Sequence, residues 1–455
     1  MSKSTHFLYP LGMAAIYFVS GILSLSIFHE HTVITMSAFF PEGFALAAIL
    51  LFGKRILPGI FFGQLFLALY FGFSLWIGTG IAFGNMLEAY IALILFNHFK
   101  LDSHLHTLKD LFGLFLMILL ILQPFSALVG NFFLYIGGII DSHEITSSTF
   151  YWWIGNVLGQ MLLTPMLLLL YHNRNKLHFK PLILVILGTV IFNYFFQVVI
   201  DIHNTSLLLI LTLPATIFLS TININYASIS SVLLASISLY FAQNGIGTFS
   251  QNPSMINNLL NLNYFMTSHI ILVLLVGILF REKQEAIEQL QKMAHFDALT
   301  GLPNRHMLRE EIHHAVSMSD QYGDRSAICY IDVDHFKSIN DTLGHHIGDE
   351  VLRIVSSRIQ AEITARDALL RIGGDEFLLI LNKIEKREMI QQILKNISES
   401  IHQPISIENK QFSISCSIGI AFCPDHGITI KELMETADKA MYYAKNSGRD
   451  CVSYA

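Results

Sequence analysis

Asp332 ends an apolar run, Ala327-Ile-Cys-Tyr-Ile-Asp332-Val-Asp334. Asp375 and Glu376 sit in a glycine turn, Arg371-Ile-Gly-Gly-Asp-Glu-Phe377, that feeds a second apolar run, Leu378-Leu-Ile-Leu381. Glycine accepts positive φ and leaves the backbone open to a phosphate. Carboxylates brought together from two strand ends hold a hard divalent cation, typically Mg²⁺ sharing oxygen ligands with substrate phosphates. The chemistry this implies is metal-assisted phosphoryl transfer, against the bland alternative of a solvated hairpin tip.

Several elements must position these acids. A buried strand is expected from Ala327 to Asp332, followed by Asp334–Asn340 and a loop over Asp341–Gly348. Asp349 is expected at the start of a helix with the apolar stripe Val351, Leu352, Val355 and Ile359, where capping would be its ordinary role. A hairpin over 369–381, a helix from about Glu388 to Ser400 and an alternating strand over Phe412–Phe422 follow. A last helix turns Leu433, Met434, Ala437, Ala440, Met441 and Ala444 to the core and carries Lys445 and Arg449 at its end.

In this order, Asp297-x-Leu-Thr-Gly-Leu-Pro-Asn-Arg305, Asp332-Val-Asp-His-Phe-Lys337, Asn340-Asp-x-x-Gly-His345, Gly348-Asp349, Gly373-Gly-Asp-Glu-Phe377 and Lys445-x-x-Gly-Arg449 resemble the GGDEF domain, the catalytic unit of bacterial diguanylate cyclases. The resemblance covers about 295–455 and implies an α/β fold, a palm-like antiparallel sheet flanked by helices. It implies a nucleotidyltransferase that condenses two GTP to cyclic di-GMP and two pyrophosphates. Asp332, the Val333 carbonyl and Asp375 resemble the Mg²⁺ ligands, and Asp375 or Glu376 the proton acceptor. Phe336, Lys337, Asn340, His345, Asp349, Lys445 and Arg449 resemble substrate-binding residues. Independently of the resemblance, a carboxylate at Asp349 accepts two hydrogen bonds from guanine N1–H and the N2 amino group, which adenine cannot supply. Lysines and arginines suit a triphosphate, although a lone one on a helix is usually just solvated. Where many relatives carry an inhibitory Arg-x-x-Asp, this chain has Thr364 and Asp367, which puts product inhibition at that site in doubt.

The chain has 455 residues and changes character along its length. The first ~280 are dominated by Leu, Ile, Phe and Ala, in stretches of about 17 to 25 residues that are long enough to span a bilayer. Ten such spans are expected, roughly 8–28, 33–52, 56–75, 78–97, 111–139, 150–171, 182–200, 207–222, 227–243 and 264–280, or eight if segments near Gly72–Gly80 and Thr221–Ala227 merge. Ten spans place Lys3, Lys54, Arg55, Lys100, Lys109, Arg174, Lys176 and Lys180 on one side, so both termini are expected in the cytoplasm of a bacterial inner-membrane protein. The formal net charge of −6 gives no hint of a nucleic-acid-binding surface. Cys329, Cys416, Cys423 and Cys451 have no metal-finger spacing and read as packing residues.

Ser37–Gly63, Gly84-Asn-Met-Leu-Glu88, Trp152–Pro165 and Asn244–Phe249 resemble, more loosely, the MASE1 integral-membrane sensory domain over 1–280. Glu42 and Glu88 stand inside proposed spans, where an ionisable group is costly; a ligand or proton sensor and a simple interhelical bond are the competing readings. Outward-facing His29, Glu30, His31, His143 and His203 could bind a metal or sense pH, yet scattered loop histidines are usually neither. Residues 281–294 form a strong helix former, either a short coiled coil or a solvated connector.

Together these readings describe a membrane-bound homodimer in which an unknown small-molecule or ion signal controls GTP condensation. A GTP-binding receptor without turnover and a transporter with a regulatory tail are the rivals.

Overall fold

The computed structural model describes residues 5–26, 38–200, 202, 204–384, 386–408 and 410–455. His29, Glu30, His31 and His203 lie outside them. The chain divides into two compact units, Met1–Gln284 and Glu285–Ala455.

Among the described residues the first unit is helical: α1 (Thr5–Ser26), α2 (Phe40–Phe52), α3 (Leu57–Tyr70), α4 (Leu75–His98), α5 (Leu108–Met117), α6 (Gln123–Ile136), α7 (Ile145–His172), α8 (Phe179–Tyr194), α9 (Thr205–Ile222), α10 (Ile224–Gln243) and α11 (Met255–His295), whose residues from 285 on belong to the second unit. Nine stretches among the described residues are long and apolar enough to cross a membrane, and one of them, Phe40–Tyr70, contains both α2 and α3. Those two helices reverse direction at Gly53–Ile56. The Phe40 amide donates to Ser24 Oγ at 3.3 Å and the Phe52 and Tyr9 rings lie 5.1 Å apart, so α2 runs against α1. Phe18 packs on Tyr70 at 5.8 Å and Gly59 lies beside Pro10, so α3 runs with α1. Lys54 and Arg55 occupy the turn, where charges can reach water. Between α5 and α6 the chain takes a π turn over Ile118–Leu122, just before Pro124, which has no N–H to give the preceding turn. Residues 281–294 continue α11 without a break.

The second unit contains α12 (Leu308–Tyr322), β1 (Ser326–Val333), α13 (Phe336–Leu343), α14 (His345–Ala361), β2 (Ala368–Gly373), β3 (Glu376–Leu381), α15 (Arg387–His402), β4 (Ile405–Ile407), β5 (Lys410–Phe412), β6 (Cys416–Cys423), α16 (Ile430–Asn446) and β7 (Val452–Tyr454). The main sheet has the order β2-β3-β1-β6-β7, and β4 pairs with β5 as a separate ribbon. Every residue of β1 and β6 is buried, as central strands covered on both faces must be. Alternate side chains serve the two faces. Ala327, Cys329 and Ile331 pack with α14 and α15, whereas Ile328 and Tyr330 pack with α12 and α16.

The sheet is mixed and not wholly antiparallel, because β7 joins β6 in parallel register. Two further expectations are corrected. The loop foreseen over Asp341–Gly348 is mostly helical, since α13 runs to Leu343 and α14 starts at His345. Asp349 therefore lies in the second turn of α14 and does not cap it. The strand foreseen over Phe412–Phe422 is divided at 413–415 into β5 and β6.

All cysteines are free, and Cys329, Cys416 and Cys423 are buried, as packing residues should be. Burial pushes the Cys329 thiol up to about 12.

Candidate active site

Two central strands bring the acids together. Antiparallel pairing of β1 with β3 sets Asp332 opposite Glu376, and the Val333 amide donates to the Asp375 carbonyl at 3.2 Å. Gly374 takes φ +53° at the tip, the conformation that the glycine pair suggested. Arg371 fixes this turn: its Nε and Nη2 donate to the Gly374 carbonyl at 3.0 and 2.7 Å, and Nη1 donates to Asp297 Oδ1 at 2.8 Å. Asp375 and Glu376 are both half-buried at the turn, and Glu376 accepts from the Tyr330 hydroxyl at 3.0 Å. Neither Arg371 nor Tyr330 was singled out from the sequence, since pairing across 74 and 46 positions leaves no local signal.

Asp332 is buried, and Lys445 Nζ, from the last turn of α16, lies 2.6 Å from its Oδ2. Burial raises the Asp332 carboxyl above its ordinary value; Lys445 pulls it down and Asp375 adds to the rise. A carboxylate this costly to bury requires a positive partner, and here an ammonium supplies it. Asp332 and Asp375 offer carboxylate oxygens and Val333 a carbonyl oxygen, the donor type that Mg²⁺ takes. Asp334, the neighbouring acid, is turned to structural work: it accepts from Ser415 Oγ and Ser417 Oγ, both at 2.7 Å, and from the Asp450 amide at 3.1 Å.

The remaining positions fall on α13, α14 and the end of α16. Lys337, His345, Asp349 and Arg449 are exposed, Asn340 is half-buried and Phe336 is buried in the core. Asn340 reaches across to α14, where a Cβ on Gly348 would come within 1.9 Å of Asn340 Oδ1. A methyl group there has to displace the amide. A substrate that Asn340 contacts should then bind about tenfold more weakly to Gly348→Ala, the scale of one lost hydrogen bond, while the melting temperature of the second unit stays nearly unchanged. Steady-state kinetics alongside thermal melts would check this.

Thr364 and Asp367 make a closed turn. Asp367 Oδ2 accepts from the Thr364 amide at 3.0 Å and from its hydroxyl at 2.6 Å, and Oδ1 accepts from the Asn382 amide at 3.0 Å. Both carboxylate oxygens are engaged within the fold.

The Asp297–Arg371 pair carries a pH dependence. Burial raises the Asp297 carboxyl, but hydrogen bonds from Thr300 and Arg371 outweigh it and hold the group below its ordinary 3.8. A depressed carboxylate pKa contributes stability above the unfolded value, and that contribution is lost as pH falls through the folded one. Asp297→Asn should therefore cost about 1–2 kcal/mol at pH 7. The difference from the parent should shrink below about pH 4, as read by hydrogen exchange of the β3 amides.

In the first unit, Glu42 and Glu88 are both buried. Glu42 accepts from the Tyr17 hydroxyl and from Asn85 Nδ2, the latter at 2.8 Å. Glu88 Oε1 accepts from Gln123 and Gln160 Nε2 at 2.8 and 2.9 Å. Ser126 donates to Asn85 Oδ1 at 3.2 Å and joins the groups around the two acids. Among the described residues, Glu88 Oε2 and the side-chain oxygens of Gln123 and Gln160 have no hydrogen-bond partner.

Two family models match this chain: MASE1 over residues 7–284, and "Diguanylate cyclase, GGDEF domain" over residues 294–451. The bifunctional diguanylate cyclase/cyclic di-GMP phosphodiesterase MucR of Pseudomonas aeruginosa is 40% identical over 168 residues, 36% of this chain and 24% of that protein. The diguanylate cyclase TpbB of the same species is 37% identical over 167 residues, 36% of this chain and 38% of that protein. A solved structure comprising only the GGDEF domain of TpbB is 37% identical, covering 35% of this chain and 94% of that one, with a TM-score of 0.35. The chain thus spans about a quarter to two-fifths of the length of these curated relatives. With a membrane-family match over more than half its length and a catalytic-family match after it, the chain belongs to the MASE1 family of multi-pass membrane proteins and carries a GGDEF domain.

Proposed function

We propose that the protein is a membrane-bound diguanylate cyclase that condenses two GTP to cyclic di-GMP and two pyrophosphates. The observation that carries this reading is the meeting of Asp332, Asp375 and Glu376 at adjoining ends of β1 and β3, with Asn340 and Asp349 on the neighbouring helices. Asp332, the Val333 carbonyl and Asp375 would hold Mg²⁺, which when bound neutralises the triphosphate and makes a ribose 3′-hydroxyl a better nucleophile. Asp375 or Glu376 accepts the proton from that hydroxyl. Asn340 and Asp349 read the guanine edge, with Asp349 taking N1–H and the N2 amino group. Lys337, Lys445 and Arg449 hold phosphate oxygens, and Lys445 exchanges its contact with Asp332 for the nucleotide. Phe336 and His345 border the substrate.

A two-fold symmetric product requires two such domains face to face, so the active species is a homodimer. Both termini lie in the cytoplasm, with the helical domain in the inner membrane, a reading supported by the basic turns. Glu42 and Glu88 are the sensory pair of the membrane domain, and residues 281–294 transmit their state. Thr364 in place of a cation, and an Asp367 already satisfied, argue against product inhibition at that turn.

Full-length protein in lipid nanodiscs, supplied with GTP or ATP, tests the reading. Cyclic di-GMP from GTP, none from ATP, and loss on chelating Mg²⁺ with restoration on adding it back are the expected results. Tight GTP binding without product would overturn the reading in favour of a receptor.

A further inference from the structure

The link between α4 and α5 holds a second group of metal-ligating side chains. Asp102, His104 and His106 each place a donor atom within 4.8 Å of the others. A fourth residue arrives from a different element: His172, at the end of α7, stacks on His104 with ring centroids 3.7 Å apart, and its Nε2 lies 2.9 Å from Ser103 Oγ. The His104 and His106 rings lie 5.3 Å apart. Three imidazoles and a carboxylate converge on one patch.

The backbone beneath them is built firmly. Asp110 accepts from the Asp102 amide at 2.9 Å, and Thr107 and Asp110 form a capping box at the start of α5. Leu105 takes φ +50° and is fully buried, so its neighbours His104 and His106 face outward together. Such a turn costs strain that the burial of Leu105 offsets.

We propose that Asp102, His104, His106 and His172 bind a first-row divalent transition metal. The donor set, nitrogen-rich with one carboxylate, matches four-coordinate Zn²⁺ and disfavours Mg²⁺ or Ca²⁺, which take oxygen ligands. Tetrahedral Zn²⁺ with bonds of about 2.0–2.1 Å would draw the donors to roughly 3.3 Å of one another. This asks for a modest closing of the exposed Asp102, His104 and His106 side chains and for the half-buried His172 ring to turn from Ser103 Oγ toward them.

The same link grips α11. Arg281 Nη2 donates to the Leu105 carbonyl, and the Leu108 amide donates to Glu282 Oε1 at 3.2 Å. A metal that ties the link to α7 also fixes the helix at the start of the 281–294 segment. Occupancy is therefore an input to the catalytic domain, a part of the proposal that rests on the cyclase reading.

The test uses full-length protein without a polyhistidine tag, in nanodiscs, treated with chelator and titrated with Zn²⁺ under a competing dye. The parent should bind one equivalent that His104→Ala, His106→Gln and His172→Ala each weaken at least tenfold and His313→Ala does not. Equal binding by parent and site variants, or a preference for Mg²⁺ over Zn²⁺, would overturn the site. Melting curves without metal confirm that each variant is folded. GTP turnover is then compared with and without Zn²⁺. A change of at least threefold in the parent and none in the site variants supports the regulatory role; equal turnover overturns that role while the site stands. A protein that binds Zn²⁺ but never turns over GTP would refute the cyclase reading alone.

Discussion

Asp375→Ala in the full-length protein should lower cyclic di-GMP formation by about a thousandfold, with little change in stability. Asp375 is half-buried at the turn, and among the described residues its carboxylate holds no hydrogen bond or ion pair on which the fold depends, so its loss is chemical. The turn itself survives, because Arg371 holds it through the Gly374 carbonyl and the Val333 amide bonds the Asp375 main chain. A metal that clamps phosphates contributes several kcal/mol to transition-state stabilisation, and about 1.36 kcal/mol is one factor of ten in rate. On the proposed reading, losing one of the two carboxylate ligands loosens the metal and leaves the triphosphate charge poorly matched. Product measured by chromatography under saturating Mg²⁺ and GTP, beside a thermal melt, checks both halves. Activity within tenfold of the parent would remove Asp375 from the metal site.

Gly419→Ala should destabilise the second unit by about 3 kcal/mol or more, a large share of the 5–15 kcal/mol that typically holds a domain. Gly419 lies mid-strand in β6 against α16, where a Cβ would stand 2.0 Å from the Met441 nitrogen and 2.2 Å from the Ala437 carbonyl oxygen. Both atoms belong to helix backbone, so no rotamer change relieves the contact and α16 has to move from the sheet. That helix carries Lys445, so activity should fall together with stability. The rate of thiol labelling gives a direct measurement. Cys329 and Cys416 are buried in this unit and their thiols are pushed up by burial, so they react only when it opens. Unchanged labelling in the variant would show that α16 accommodates the methyl group.

The chemistry of the site was legible in sequence because its residues are clustered in short strings with fixed local geometry. A glycine pair followed by two acids makes a turn wherever it stands, and an apolar run ending in Asp332 makes a buried strand that delivers a carboxylate at its end. Apolar stripes such as Val351, Leu352, Val355 and Ile359 located the helices, and long apolar stretches between basic turns located the membrane part. Element ends were less legible. His345 begins a helix where a loop was expected, because tertiary packing of Ile347 and Phe336 outweighs weak local preference.

What only the tertiary structure decided are the partnerships between residues distant in the chain. Asp332 with Lys445, Arg371 with Asp297, and Asp334 with Ser415 and Ser417 each join separate strings. Their pairing follows from strand order and helix placement, which no local spacing encodes. The parallel addition of β7 and the meeting of His172 with the link at Asp102–His106 are of the same kind. Sequence by itself determined which chemistry the residues can do, because side-chain type and short-range geometry are local properties; the three-dimensional packing decided which groups share a site, because burial forces each charge to find its partner wherever the fold brings one.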